Sequence, residues 1–461
     1  MRVQREWMVP TRRPTRVKRW AWRAMLGGTL PRVAALAAAA LMPLPVAAQT
    51  LLELYDLAHG YDATYLAARA LAESAPYRVE QARALMRPSA TLSSSASRDQ
   101  SNPTVGGNFG SNTRSATVSG RQPIFNRANR VTIAQSERSL ESSLAELDTA
   151  EQDLILRVSQ AYFDVLGAQD TLQTTRASKA AISEQLASAR RNFEVGTATI
   201  TDTREAQARF DLATAQEIAA ENELAIRRIA LDQLVGRSNV VPRQLAVPVV
   251  LPPTAATPVD ELVSRAADEH PAVRRAHVAL DVARLETEKA RAQGSPTVDA
   301  VGSLQAGRGT IAENVTGNRS GASLGVQLNM PLYTGGSVQA RISETLVLEE
   351  RSRNDLEAAR RAVTQATRQA YYTLQSGAAQ VKALEAAEAS SQLALEATQL
   401  GYRVGIRVNV DVLNAQSQLF QTRRDLARAR YDVLLGTLRL RQAAGRLSAA
   451  DLLAVNRLLA L

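Results

Sequence analysis

"QPIFNRAN" (residues 122–129) and "MPLYTGGSVQA" (residues 330–340) each place a proline, an aliphatic residue and an aromatic between an alternating stretch and a long proline-free one. Pro123 and Pro331 are 208 residues apart. "AYFDVL" from Ala161 answers "AYYTLQ" from Ala370, and "FEVGTATITD" from Phe193 answers "YRVGIRVNVD" from Tyr402, both at an offset of 209. One unit has therefore been used twice.

The stretch after each proline reads as helix. Residues 124–241 and 332–461 contain no proline, and proline is the residue a helix interior tolerates least. Stepping 4,3,4,3 from Leu140 meets Leu144, Leu147, Glu151, Leu154, Val158, Ala161, Val165, Ala168, Leu172, Thr175, Lys179, Ile182, Leu186, Ala189 and Phe193, of which only Glu151, Thr175 and Lys179 are not apolar. That is a heptad seam, and it resumes after "EVGTATITD" through Ala206, Phe210, Ala213, Ala220, Leu224, Leu231 and Leu234. The spacing predicts a helical hairpin with a first arm from Asn126 to Glu194, and a second hairpin with arms at 336–403 and 408–444. Many seam positions are alanine, which allows close approach but buries little apolar area, so such arms need neighbours along their length.

The stretches before the prolines have period two. In "SGASLGVQLNMPLY", Ala322, Leu324, Val326, Leu328 and Met330 alternate with small or polar residues, and "RSATVSGRQPIF" does so more weakly. "SATLSSSAS" and "TVDAVGSLQAG" are their expected partners, across the polar loops "NPTVGGNFGSN" and "GTIAENVTGN". Each repeat offers two strands, four per chain. Closing a barrel with no free edge takes about eight or more, hence more than one chain. Pro123 and Pro331 are expected to end strands, and Phe125 and Tyr333 to sit in an aromatic belt where a barrel leaves lipid.

The formal charge is +10, but residues 1–48 hold nine Lys/Arg and one Glu, leaving about +2 for the rest. Those remaining charges are interleaved in sign along helices, which argues against a nucleic-acid partner. The basic leader runs into an apolar stretch ending in Val46, Ala47 and Ala48, the pattern of a secretory signal peptide cut after Ala48. Pro43 and Pro45 break the stretch, which argues against an anchor, and Met25 offers an alternative start. Beyond the leader no stretch is apolar enough to cross a bilayer as a helix, so a membrane segment would have to be built of strands. There is no cysteine, and so no disulfide, thiolate metal site or lipidated N-terminal Cys. The reading divides the chain into a signal peptide (1–48), a first repeat (49–240), a linker (241–258), a second repeat (259–445) and a C-terminal periplasmic tail (446–461).

Together "AYFDVLGAQ", "NFEVGTATITD", "MPLYTGGSVQA", "GYRVGIRVNVDVLNAQ" and "GRLSAADLLAVNRLLAL" resemble the TolC-type outer-membrane channel proteins. The resemblance spans both repeats. It implies an α+β membrane protein of two tandem repeats, forming a homotrimer whose 12-stranded β-barrel sits in outer-membrane lipid and continues into a 12-helix periplasmic α-barrel. The implied role is a passive exit duct, at the outer membrane of a Gram-negative cell, working with a periplasmic adaptor and an inner-membrane ABC or proton-driven transporter. Its cargo would be a secreted protein or small toxic compounds, and the missing lipidation site favours the secretion branch.

The same resemblance assigns residues. Thr201 and Asp202 in the first helix turn, with Tyr402 and Arg407 in the second, match the polar contacts that close the family's tunnel. Arg407 could donate to a carboxylate or hydroxyl and Tyr402 to Asp202, although Asp202 also reads as an ordinary N-cap. Asp411 matches a position that rings the tunnel entrance, while Asn414 stands where the family often has a second carboxylate, which puts strong block by multivalent cations in question. Val195 and Gly196, with Val404 and Gly405, match the tips that receive an adaptor, although Thr197 and Ile406 replace the usual leucine.

Two other functions compete. Catalysis is not expected, and neither is a cofactor or metal. No GxxxxGK[ST] is present, and His59, His270 and His277 have no Cys/His or HExxH company; His270, before Pro271, reads as an exposed helix start. A periplasmic coiled-coil scaffold or adaptor without a barrel would satisfy the heptads alone, but not the alternating stretches.

Overall fold

A computed structural model of the protein describes residues 48–101, 109–246, 258–312 and 315–460. The signal-peptide reading up to residue 47, the linker centre (247–257) and the two loop tips lie outside the described residues. The first repeat comprises α1 (Leu51–His59), α2 (Ala63–Ala84), β1 (Ser89–Ser101), β2 (Phe109–Phe125), α3 (Arg127–Glu194) and α4 (Ile200–Val235). The second comprises α5 (Val259–Glu269), α6 (Pro271–Ala292), β3 (Thr297–Ala312), β4 (Val315–Asn329), α7 (Ser337–Arg403) and α8 (Asn409–Ala443), and α9 (Ala449–Asn456) follows.

The four expected strands and four arms are present, the strands longer than the alternation alone suggested. The short helices before each strand pair escaped the periodicity reading. Their signals were local caps: Thr50 and Glu53 form a capping box, Asp62 accepts from the Tyr65 N–H, and His270 precedes Pro271 at the first position of α6. His270 is a helix start, as expected, but it is half-buried rather than exposed.

The sheet has the order β1-β2-β3-β4, antiparallel throughout, so β2 and β3 join the two repeats. Its register places Leu92, Val118, Leu304 and Ala322 in one row across all four strands. The next row on that face holds Ala90, Gly120, Gly302 and Leu324, and β4 continues it with Val326 and Leu328. Leu324 is 91% exposed. The opposite face carries Thr91, Ser119, Ser303 and Ser323, with Ser303 and Ser323 hydroxyls 2.8 Å apart. One face of the sheet is therefore apolar and the other hydroxylated, and the apolar face is left exposed where a soluble sheet would bury it. Within the chain β1 and β4 each keep one unpaired edge.

Pro123 does not end its strand. It pairs with Asp299 inside β2, the register shifts between Pro123 and Phe125, and Phe125 then pairs with Val298. The lost N–H of proline is accommodated at a bulge, which turns the chain toward α3. Asn126 caps that helix by accepting from the Asn129 N–H at 3.0 Å. Pro331 lies two residues beyond β4, as a strand terminator should.

α3 and α7, with 68 and 67 residues, would each reach on the order of 100 Å. α3 pairs with α4 and α7 with α8, and α3 also packs on α8, which makes one helical sheet from both repeats. The heptad seam is buried from Leu154 to Ala189 except at Ala161 and Lys179, which are half-buried, and it opens at Leu144 and Phe193. The main core lies midway along α3 and near the C-terminal ends of α4 and α8, where these helices, α1 and α9 converge on Leu51, Leu54, Tyr162, Leu166, Leu231, Leu434 and Leu452. Tyr162, fully buried, donates its hydroxyl to the Arg243 carbonyl at 2.6 Å. Residues 241–246 are held there from two sides: Gln49 N–H donates to the Val241 carbonyl and Ala460 N–H to the Gln244 carbonyl, both at 2.8 Å.

Candidate functional site at the helix turns

The turns that close the two hairpins are built alike. Val195 and Val404, ending α3 and α7, both have φ −91° and ψ 3°, and Gly196 and Gly405 both follow at φ +79°. Thr197 N–H donates to the Asn192 carbonyl and Ile406 N–H to the Gly401 carbonyl, each at 2.8 Å. Gly196 N–H and Gly405 N–H donate to Phe193 and Tyr402 at 3.0 and 3.1 Å. This paired pattern is the Schellman motif, which needs a left-handed residue and therefore glycine. Val195, Val404 and Ile406 are exposed at the tips, and Phe193, Ile200 and Val408 are exposed beside them.

The side chains at each turn differ between the repeats. Asp202 is not the N-cap of α4; Thr199 is, and Asp202 sits three residues on, its carboxylate accepting from the Thr199 N–H (3.0 Å) and hydroxyl (2.6 Å) in a capping box. Thr201 places its hydroxyl 2.5 Å from that of Thr199. With both of its strong donors on Thr199, the Asp202 carboxylate does not meet Tyr402 within the chain. Tyr402 instead takes a hydrogen bond from the Asn192 amide at 3.2 Å, on α3 of the other repeat.

Arg407 lies 3.6 Å from the Asp411 carboxylate, one turn along, while its aliphatic stem rests on Gly401, where a Cβ would come within 2.8 Å of Arg407 Cγ. Asp411 also receives the Val408 N–H at 3.5 Å, in the first turn of α8. Asn414 accepts from the Arg209 guanidinium of α4 at 3.1 Å, and Arg209 is also 3.7 Å from Glu205. Buried Asn409 takes a hydrogen bond from Gln185 and donates to the Asp202 carbonyl at 3.4 Å.

Polar contacts between the repeats therefore do gather at this end, but through Asn192, Gln185, Arg209 and Asn409, none of which the sequence reading singled out. Aligning the two turns by the 209 offset sets Asn192 opposite Gly401. That asymmetry was the available signal; no spacing rule said that the tyrosine of one repeat would meet the asparagine of the other. At the far end, Tyr333 is 89% exposed, and the Arg130 guanidinium lies 5.5 Å from the centre of the Phe125 ring.

The family model described as outer membrane efflux protein matches twice, at residues 54–237 and 262–446. The starts of the two matches are 208 residues apart and the ends 209, the same offsets as the repeated motifs. The chain is similar to outer membrane protein TolC of Vibrio cholerae, 32% identical over 89% of this chain and 93% of that protein. It is also similar to TolC of Escherichia coli, 31% identical over 76% and 73% of the two chains. The alkaline protease secretion protein AprF of Pseudomonas aeruginosa is 34% identical over 73% and 70%. Among solved structures, the fold matches the CusC channel (TM-score 0.74, 17% identity, 87% of this chain and 93% of that one). It also matches the outer-membrane channel OprN (TM-score 0.74, 18% identity, 86% and 90%). With the family model covering both repeats, the chain belongs to the outer membrane efflux protein family.

Proposed function

We propose that three copies of this chain form a passive outer-membrane exit duct. The observation that carries the proposal is the four-stranded sheet: it has an exposed apolar face, a hydroxylated opposite face and two open edges, which other copies can pair. Three sheets joined edge to edge supply enough strands for a closed wall with an aqueous lumen. The arms, at about 100 Å, suit a conduit across the periplasm. The apolar tips at Val195, Val404 and Ile406 suit a periplasmic adaptor that links the duct to an energised inner-membrane transporter. A scaffold without a barrel has no use for an outward apolar sheet face.

Related proteins are named for protease secretion as well as for efflux, and the closer similarity of AprF than of the antibiotic pump protein ArpC, 25% identical, favours secreted protein as cargo. Mass measurement in mild detergent, with planar-bilayer recording of the same sample, tests the reading. Three chains per particle and discrete conductance steps are expected; a folded monodisperse monomer without conductance would overturn it.

A further inference from the structure

Resting on the proposed duct and on the resemblance that sets Asp411 and Asn414 at its inner entrance, we propose that Arg209 is a specificity-determining residue that cancels the entrance's attraction for cations, so that the duct admits anionic as readily as cationic cargo. Three observations converge on it. First, two carboxylates of these turns have a guanidinium beside them: Arg407 lies 3.6 Å from Asp411 and Arg209 3.7 Å from Glu205. Second, Arg209 reaches across from α4 to α8 and donates to Asn414 at 3.1 Å, so the cation is held over the very side chain where a second acidic ring would stand. Third, the two turn regions, residues 190–211 and 402–414, contain six arginines against five carboxylates, a net of +1 per chain.

A narrow passage selects ions by the summed charge of its lining, and the effect of each charge fades over a Debye length of about 8 Å at physiological salt. Arg209 and Arg407 stand well inside that distance of the carboxylates they face. A passing ion therefore meets paired charges rather than a bare acidic ring. Asn414, which cannot ionise, makes the contact with Arg209 neutral-to-cationic instead of a closed ion pair. Arg209 thus offsets the Glu205 carboxylate while its guanidinium stands over Asn414.

The test is the reversal potential of single channels in planar bilayers under a potassium chloride gradient at low salt, with hexamminecobalt(III) as a blocker. The wild type should show potassium and chloride permeabilities within about twofold of each other and weak block. Arg209→Gln, which can still hydrogen-bond Asn414, should raise the potassium-to-chloride ratio by about threefold or more and strengthen block. Arg209→Lys should keep wild-type selectivity, because it keeps the charge. A strongly cation-selective wild type, or Arg209→Gln indistinguishable from it, would overturn the inference. Asp411→Asn separates the two readings. If it alters selectivity while Arg209→Gln does not, only the role of Arg209 fails. If neither variant alters selectivity, the entrance itself lies elsewhere.

Discussion

Asp62 and His270 occupy the same position of the two repeats, 208 residues apart, and each caps the helix that leads into a strand pair, one with a carboxylate and the other with an imidazole. Asp62 accepts from the Tyr65 N–H at 2.8 Å and holds Arg157 through two bonds of 2.9 Å. His270 accepts from the Ala272 N–H through Nδ1 at 3.1 Å and packs on the end of α8, where a Cβ at Gly445 would come within 2.8 Å of its Cα. The fold needs an acceptor at both places, and the two acceptors respond to acid in different ranges.

Burial lowers the pKa of His270, against a smaller opposing effect of a hydrogen bond to the Gln442 backbone. The folded chain therefore takes up the imidazole proton less readily than the unfolded chain. The stability this gives is complete above the unfolded value of about 6.5 and is lost as pH falls through the window between that value and the lower folded one. Protonation also removes the Nδ1 acceptor and sets a cation at a helix N-terminus. Protection of the amides in the first turn of α6, taken as exchange relative to the intrinsic rate at each pH, should fall as pH drops below the unfolded value, whereas His270→Asn, a cap that does not titrate in that range, should flatten the profile. An unchanged pH profile in that variant would remove His270 as the cause.

Asp62 should behave in the opposite range. The Arg157 hydrogen bonds are the main cause holding its carboxyl below the ordinary value. Its contribution is full above an unfolded pKa of about 3.9 and disappears as pH falls through the depressed folded value. Asp62→Ala removes both a cap and the partner of a half-buried arginine, a loss of about 2 kcal/mol or more at neutral pH. Denaturant unfolding of Asp62→Ala and Arg157→Ala, with the double variant, measures the coupling; additive losses would show that the pair does not act as a unit.

The contact of Tyr402 with Asn192 makes a prediction about closure of the duct. If this inter-repeat bond holds the turns together, Asn192→Ala and Tyr402→Phe should each raise single-channel conductance, and together no more than either alone. Arg407→Ser should add to them, because its contact with Asp411 is separate. Assembled trimers with wild-type conductance in both single variants would rule the contact out as a latch.

Arms, strands and turns were legible because each has a period or a compulsory residue: a heptad seam, alternation, a glycine at φ +79°. Partners across the repeats were not, because side chains about 200 residues apart meet only through packing. Asp202 shows the difference. Its position at a helix start was readable, yet its carboxylate is occupied by Thr199, three residues away, and the distant Tyr402 found another donor. Pro123 shows another limit, since a proline can sit inside a central strand where a bulge absorbs its missing donor.

The two faces of β4 give the most direct test of its place in a membrane. Leu324 and Ser323 are neighbours in sequence and both pair with β3, but they point to opposite sides of the sheet. If the apolar face meets lipid, Leu324→Arg places a charge in hydrocarbon, at a cost of about 2–4 kcal/mol near the midplane and less toward the interfaces. Ser323→Arg places the same charge on the lumen side, where water can solvate it. In a soluble sheet the order would be different: Leu324, already 91% exposed, would accept arginine without loss, and crowding beside Ser303 at 2.8 Å would make Ser323 the sensitive position. Unfolding in urea from lipid vesicles, and the share of chain recovered in outer-membrane fractions, should therefore fall for Leu324→Arg and stay near wild type for Ser323→Arg. The reverse order would mean that lipid does not lie against the face of Leu324, Val326 and Leu328, and the barrel would have to be given up with it.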